Sequence, residues 1–584
     1  MLNLSIETFS RMKKLRLLKV LCVSNCDDIK YLSNELRLLD WTGYPLRYLP
    51  PSFQPDNLVA LLLPYSHIEQ LWKGNRPLYK LKMINLKGSQ NLIKIPDFTT
   101  ASNLEVLILE GCTKLVDVHP TIGVLKSLKL LNLRDCKSLR NLPTKIGMES
   151  LETLILSGCS NLVRFSEIDR KMKHLKTLDL SGCYRVENLS ENLQQAKLRS
   201  NLSSLFKVIL GRRKNPMPRM LPSLLGLSSL RELKLKDCNL CEGDIPRDIS
   251  SLSSLTDLDL SGNNFISIPA SLTRLSKLWF LDLSNCNMCT LGEADIQGLS
   301  SLSYLYLTGN NFITIPLALT QLSKLSFLGL SNCKMLKSLP ELLTSIADVR
   351  IDDCSSLEVV ASPSKVCNLV DLGFIKAINC FKLAENINAL TLLKKHLKAF
   401  ANSRKKFDIM MPGSEIPEWF SQQKSDSSIQ IPLPKDSEWI GVACCYIFVN
   451  NDALRDDEYI GWGVSIYCRN SEEASCNGSI FRGRNPRRID GSDWLVGKRF
   501  NQPIMKDHLF LRYWSRDKLY PFSLEDKYGH CETNNLWAID CLDEKCDEFE
   551  VSFSNPNDED SAKVKKCGAR IVYEKDLEEI KELQ

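Results

Sequence analysis

Apolar residues recur at a fixed interval along two thirds of this 584-residue chain. The clearest instance is LTDLDLSGNNFISIPASLTRLSK, 255–277, where Leu255, Leu258, Leu260, Asn263, Phe265 and Ile268 follow the pattern L-x-x-L-x-L-x-x-N-x-F-x-x-I-P. Further copies start at Leu278, Leu302 and Leu325. Alternation at Leu258 and Leu260 predicts a short strand with one buried edge. Taking the first leucine as a ruler, units begin near Leu18, Leu36, Leu58, Leu81, Leu104, Leu128, Leu151 and Leu175. They resume at Leu230, Leu255, Leu278, Leu302 and Leu325, with degenerate units near Ile346 and Leu372. Most steps are 22 to 25 residues; the one break in the series is the step of 55 from Leu175 to Leu230.

A period of this length with this pattern is the signature of a leucine-rich repeat. One unit cannot bury its apolar edge alone, whereas stacked units merge their leucines into a continuous core. The expected architecture is therefore an α/β solenoid, a horseshoe, over residues 1–382. The long step implies an insert at about 186–220. Its like charges, Arg212, Arg213, Lys214 and Arg219, and its Pro216 and Pro218 favour an exposed loop over another coil. The early units add aromatic bulk from Trp41, Tyr44, Tyr48, Phe53 and Trp72. Met1 to Arg11 offers no convincing end cap, so a preceding segment is expected in the natural context.

Beyond about Leu383 the period is lost. Ile387, Leu390, Leu393, Leu397 and Phe400 lie at helical spacing, giving a helical linker over 383–406. From Phe407 the chain turns to short alternating segments: FDIMMPGSEIPEWF, SSIQIPLP, WIGVACCYIFV, YIGWGVSIYC, DHLFLRYW, EFEVSFS and ARIVYEK. This predicts an all-β sandwich over 407–575, with a charged tail at 576–584.

Composition changes little in this picture. Charged residues are 25% and the net charge of +6 is small for the length, which gives no reason to expect nucleic acid. No apolar run reaches membrane-spanning length, the longest being GVACCYIFV at 441–449. The N-terminal run carries charges inside its apolar stretch and does not read as a signal peptide. Ten of the 22 cysteines (Cys26, Cys112, Cys136, Cys159, Cys183, Cys238, Cys286, Cys333, Cys354 and Cys380) occupy the turn position held by Asn263 and Asn310. There a thiol serves as a small buried group with a weak S–H donor, which implies structural cysteines in a reducing compartment rather than disulfide pairs.

The chemistry-bearing residues sit on the strand face opposite the leucines. Positions two, four and six after the first leucine project there and align in columns. One column contains Asp257, Phe280, Tyr304 and Phe327, with Tyr306 beside it and Asp257, Asp259 and Asp282 flanking. Aromatic anchors with a polar rim suit a protein-binding face. Packing by the downstream domain onto the same patch is the other reading. The basic insert could meet an acidic partner or be a solvated loop. His530, Cys531, Cys541 and Cys546 lack paired C-x-x-C spacing and argue for structural use over zinc. Glu415 and Glu418 flank a proline turn without further acid–base groups, so Trp419 and Phe420 as core anchors account for that motif better. No catalytic set, metal site or cofactor site emerges.

FSRMKKLRLLKV, LSNELRLLDWTGYPLRYLPPSFQPDNLVALLLPYSHIEQLWKG, PGSEIPEWF and VKKCGARIVYEKD together resemble the C-terminal half of plant TIR–nucleotide-binding–leucine-rich-repeat disease resistance proteins. The resemblance implies a leucine-rich-repeat horseshoe followed by a jelly-roll or Ig-like domain, called C-JID. It implies a non-enzymatic recognition module, cytoplasmic or nuclear, that binds a pathogen effector or an effector-modified host protein. Contact with TIR and nucleotide-binding (NB-ARC) domains would occur within a full receptor. Neither domain is found in this sequence, and no G-x-x-x-x-G-K-[ST] loop occurs. An extracellular repeat receptor, favoured by GDIP at 243–246 and sequons at Asn3, Asn188, Asn201 and Asn477, is one alternative. A truncated regulator of a full-length receptor is another.

Overall fold

The computed structural model describes residues 11–20, 29–72, 74, 76–143, 145–163, 167–168, 172–184, 224, 226–245, 247–291, 296, 298–340, 346–361, 372–387, 389–400, 406–434, 438–450, 463–469, 487–490, 506–519, 548–554 and 562–578. The chain divides into two compact units, Met1–Leu305 and Tyr306–Gln584.

In the first unit the strands Leu38–Trp41, Ala60–Leu62, Met83–Asn85, Val106–Ile108, Leu130–Asn132, Thr153–Ile155, Thr177–Asp179, Glu232–Lys234, Asp257–Asp259 and Phe280–Asp282 pair in parallel, each with the next. Their central residues, Leu39, Leu61, Ile84, Leu107, Leu131, Leu154, Leu178, Leu233, Leu258 and Leu281, form one fully buried row. Burying a leucine contributes roughly 1.5–3 kcal/mol, so a row this long sustains strands of only three or four residues. Short 3-10 turns close several coils on the other side, including Pro120–Val124 and Ala270–Arg274. The step of 55 residues costs the sheet nothing, because Thr177 stands directly opposite Glu232.

The expected start at Leu18 is corrected by the pairing. Strand Leu17–Val20 sets Leu18 against Leu39, the fourth position of its unit, so the ruler begins at Leu15. Leu15, Leu17 and Leu18 all fit an apolar run, and only the partner strand chooses among them.

The turn after each strand explains the Asn and Cys positions. Asn263 Nδ2 donates to Leu235 O (2.8 Å) and Leu260 O (2.7 Å), while its Oδ1 accepts from Cys238 N (3.1 Å) and Leu240 N (3.0 Å). Where cysteine replaces it, the thiol donates to a carbonyl of the preceding coil: Cys112 to Leu86 O (3.3 Å), Cys286 to Leu260 O (3.2 Å) and Cys354 to Leu330 O (3.2 Å). Burial pushes the thiols of Cys112 and Cys159 up to about 12, so they stay protonated and donating. Cys26 lies outside the described residues. The residue just before this position takes positive φ in successive units, as at Gly158, Asp237, Gly262, Asn285 and Asn332. At Gly262 an added Cβ would also collide with the Asp237 carboxylate, so a side chain there would have to displace it.

The second unit opens on a ladder of the same kind. Strands Phe327–Gly329, Asp348–Arg350 and Leu372–Lys376 are parallel neighbours. Helices Phe381–Asn386 and Ala389–Phe400 then carry the chain across to strand Lys406–Pro412, which pairs in parallel with Leu372–Lys376. On its other edge this strand pairs antiparallel with His508–Ser515. The ladder and the antiparallel sheet are thus one continuous sheet, extended by Trp439–Asn450, Ala562–Tyr573 and Gln422–Lys424. A second antiparallel sheet runs Ser428–Pro432, Glu548–Ser554, Gly463–Arg469 and Arg487–Asp490. Tyr446, Phe510 and Trp514 of the first sheet share a core with Ile431, Ile466 and Phe549 of the second.

Polar groups secure the join. Asp408 and Arg512 stand opposite each other across the parallel-to-antiparallel strand and meet in two hydrogen bonds of 2.7 Å, both side chains buried. Phe510 and Trp514 flank the guanidinium, at 5.2 and 5.5 Å. Lys376 pairs with Asp352 at 3.2 Å. His508, fully buried, accepts at Nε2 from Asn379 N (2.9 Å) and bonds through Nδ1 to Lys506 O (2.7 Å), which assigns the Nδ1–H tautomer.

Burial lowers the pKa of His508 below the ordinary histidine value. The unfolded chain therefore takes up this proton first, and the His508 contribution is complete above about pH 6.5 and is lost as pH falls below it. Wild type should lose more melting temperature between pH 7.5 and 5.5 than His508→Gln. Equal losses in the two proteins would contradict this assignment.

Candidate functional site

Strands Glu232–Lys234, Asp257–Asp259 and Phe280–Asp282 present two columns on the face opposite the leucines. Register aligns Glu232, Asp257 and Phe280 in one, and Lys234, Asp259 and Asp282 in the other. All six are half-buried, as expected of side chains standing on an open sheet face. Trp279 stands one position before Phe280, is 45% exposed, and meets Tyr304 edge-on with ring centroids 4.8 Å apart.

The carboxylates differ from those of the earlier coils. Glu105 is paired with Lys82 (3.3 Å) and Lys129 (2.8 Å), Glu110 with Lys87 (3.0 Å), and Glu152 with Lys176 (2.6 Å). Asp40 is paired with Lys19 at 3.2 Å, and Glu232 with Lys234 at 2.5 Å. Asp257, Asp259 and Asp282 form no ion pair among the described residues. Asp257 accepts from Thr256 Oγ1 (2.6 Å), Asp259 from Ser261 N (2.9 Å) and Oγ (2.7 Å), and Asp282 from Ser284 N (2.8 Å). Burial, with the charge of Asp259 adding to it, holds the Asp282 carboxyl above its usual range.

In the second unit Phe327 departs from the expected exposed column: it is only 6% exposed. Tyr306 stacks on it at 4.5 Å between ring centroids and the Arg350 guanidinium covers it at 5.2 Å. Arg350 is itself fixed by Asp348, through Nε at 3.1 Å and Nη2 at 2.8 Å. Arg350, four positions after the start of the next coil at Ile346, has helped convert an expected contact residue into a packed one.

Trp279 was not among the residues singled out from sequence. It belongs to the column one place after each first leucine, otherwise polar in neighbouring coils: Lys129, Glu152, Lys176, Arg231, Thr256 and Ser303. A lone tryptophan in a polar, exposed column was the signal available.

The remaining candidates resolve differently. Arg212, Arg213, Lys214 and Arg219 lie outside the described residues, as do His530, Cys531, Cys541, Cys546 and the four sequons. Glu415 and Glu418 are exposed on either side of buried Ile416. Phe420 is buried, and Trp419 is capped by Arg570 at 4.8 Å. Arg570 also donates to Trp419 O (2.8 Å) and Asp576 (2.6 Å), so EIPEWF and GARIVYEKD fold against each other. Among the described residues no group of three or more His, Cys, Asp or Glu could hold a metal ion, and no helix is long and apolar enough to cross a membrane.

The C-JID domain family matches residues 411–578, and the leucine-rich-repeat family matches 254–275. The chain is 30% identical to disease resistance-like protein DSC1 of Arabidopsis thaliana, over 98% of this chain and 49% of that protein. It is 45% identical to disease resistance protein RPP2A of the same plant over 20% of this chain and 10% of that one. It is 38% identical to disease resistance protein RPV1 of Vitis rotundifolia over 21% of this chain and 11% of that one. The chain thus spans about half the length of DSC1, and smaller parts of the other two are matched. With the repeats, the C-JID match and these relatives agreeing, the chain belongs to the plant TIR–nucleotide-binding–leucine-rich-repeat disease resistance proteins, of which it carries the repeat and C-JID part.

Proposed function

We propose that this chain is the recognition module of an immune receptor of the plant cytoplasm or nucleus, binding a pathogen effector or a host protein that an effector has modified. Binding is relayed to defence through TIR and nucleotide-binding domains of a full receptor. The observation that carries the site assignment is Trp279, a large aromatic left 45% exposed on an otherwise polar column, with Tyr304 against its edge and Asp257, Asp259 and Asp282 on the adjoining pair of strands. Exposed aromatics with a polar rim are the composition of binding hot spots. In this reading residues 1–382 are the solenoid, 383–406 a helical linker, and 407–575 a jelly-roll or Ig-like sandwich, which the core shared by two antiparallel sheets supports. Tyr306 and Phe327 then serve packing within the second unit, with Tyr306 supplying the cover over Phe327.

The test is a binding array of purified effectors and host proteins probed with the chain and with Trp279→Ala/Tyr304→Ala. A specific partner is expected to bind the double variant at least about ten-fold more weakly, equivalent to about 1.4 kcal/mol. The melting curve should be nearly unchanged, because Trp279 stands outside the leucine core. Undiminished binding by the double variant would remove the site from this face.

A further inference from the structure

We infer that the partner segment received by the face of strands Glu232–Lys234, Asp257–Asp259 and Phe280–Asp282 is cationic, a stretch of protein carrying clustered Lys or Arg beside an apolar anchor. The inference rests on the recognition reading above and adds the chemistry of the occupant.

Its first support is a contrast within one sheet. In the preceding coils face carboxylates are neutralised from neighbouring strands, as at Asp40 by Lys19 and Glu110 by Lys87. Such pairs offer an incoming charge little. Asp257, Asp259 and Asp282 have no such ion pair among the described residues; Lys234, in register with Asp259, and Lys236 act on Asp259 and Asp282 only at longer range. Asp259 and Asp282 are direct partners in register, and adjacent parallel strands lie about 4.8 Å apart. Like charges directly opposite each other destabilise a sheet. The cations nearest by position are Lys234, already engaged by Glu232, and Lys236, exposed on the same strand end. An ammonium or guanidinium arriving between Asp259 and Asp282 would relieve a repulsion that the free chain carries.

Trp279 is the second, independent support. Its ring is 45% exposed, lies edge-on against Tyr304 and precedes the strand that carries Asp282, so a segment bound to the carboxylates would have an aromatic surface along the same strands for a neighbouring apolar residue. A guanidinium suits the pair best, because it is weakly hydrated, stacks on aromatic faces and bonds carboxylates in a fork. The whole chain is positive, at +6, so its net charge opposes the approach of a cationic segment. Any such binding must come from this local face.

The experiment titrates the full chain with two labelled nine-residue peptides, one of Lys and Arg around a central Leu and one with Glu in every charged position. Titrations run at about 50 and 200 mM salt, near the range where exposed charges are first unscreened and then screened. The Lys/Arg peptide should bind at least ten-fold more tightly than the Glu peptide, weaken at the higher salt, and lose at least ten-fold with Asp257→Asn/Asp259→Asn/Asp282→Asn. Asparagine keeps the side-chain oxygen that accepts from Thr256, Ser261 and Ser284, so this variant should melt no lower than wild type. Equal binding of the two peptides, or full binding by the triple variant, overturns the inference. The partner array separates the two claims. A partner lost with Trp279→Ala/Tyr304→Ala but kept by the triple Asn variant leaves the recognition face standing and removes its cationic occupant. A partner kept by both variants removes both.

Discussion

Asp408→Asn should cost the second unit about 3–5 kcal/mol, the range found when one member of a buried ion pair is removed. Arg512 is 1% exposed and bonded to Asp408 through both Nε and Nη2. Burial works against a charged guanidinium, and the Asp408 carboxylate outweighs it, leaving the Arg512 pKa raised. An asparagine accepts one bond but returns no charge, so the guanidinium would remain buried without its counter-ion. Its remaining hydrogen bond, donated from Nη1 to Val464 O at 3.3 Å, is long. Asp408→Leu/Arg512→Met should recover most of the loss, since apolar pairs of similar volume often replace buried ion pairs at little cost. The denaturant midpoint of the chain and its variants measures this. If Asp408→Asn unfolded at the wild-type midpoint, or the double variant were worse than the single one, the pair would not be what secures the join.

A comparable effect is expected in the first unit from Asn263→Ala. The substitution leaves one buried carbonyl, Leu235 O, and two buried amides, Cys238 N and Leu240 N, without the side chain that serves them, while Leu260 O keeps the Cys286 thiol as donor. Each buried group left unsatisfied costs roughly 1–3 kcal/mol, and partial rearrangement should bring the total to about 3–5 kcal/mol. Asn263→Cys should cost less than half of that, because cysteine holds the same position at Cys238 and Cys286 and its thiol reaches the preceding carbonyl. In a stack of coils each unit is stabilised by its neighbours, so damage here should weaken coils on both sides. Hydrogen exchange gives a local reading: the amides of Cys238 and Leu240 should lose protection in Asn263→Ala and keep more of it in Asn263→Cys. Equal destabilisation by the two variants would mean that hydrogen bonding at this turn is not the source of the effect.

The repeat was legible because its physics is local and is restated every 22 to 25 residues. Leucines mark the core edge, and Asn, Cys or Ser marks the turn whose carbonyl must be met. The strands at Lys406–Pro412, Ser428–Pro432, Trp439–Asn450, Gly463–Arg469, His508–Ser515, Glu548–Ser554 and Ala562–Tyr573 were legible for a similar reason, as short apolar segments between turn residues. The short strands Gln422–Lys424 and Arg487–Asp490 were not, because polar residues leave no alternation to read. The candidate site was half visible. Asp257, Asp259, Phe280, Asp282 and Tyr304 were placed on the open face by period alone, whereas Trp279 required attention to a different column, and Phe327 was hidden by an arginine from the following coil.

By itself, then, the sequence determined that strands would stack, which residues each would bury, and which positions would face outward together. Those follow from short-range alternation and from an apolar edge that has no alternative to a neighbouring copy. Tertiary structure alone decided three other things. It set the first coil's register, since Leu15, Leu17 and Leu18 are equivalent until a partner strand selects one. It made strand Lys406–Pro412 the shared member of a parallel ladder and an antiparallel sheet. And it joined Asp408 to Arg512 across 104 residues of chain, a pairing that no local pattern encodes because its energy exists only once both strands have excluded water.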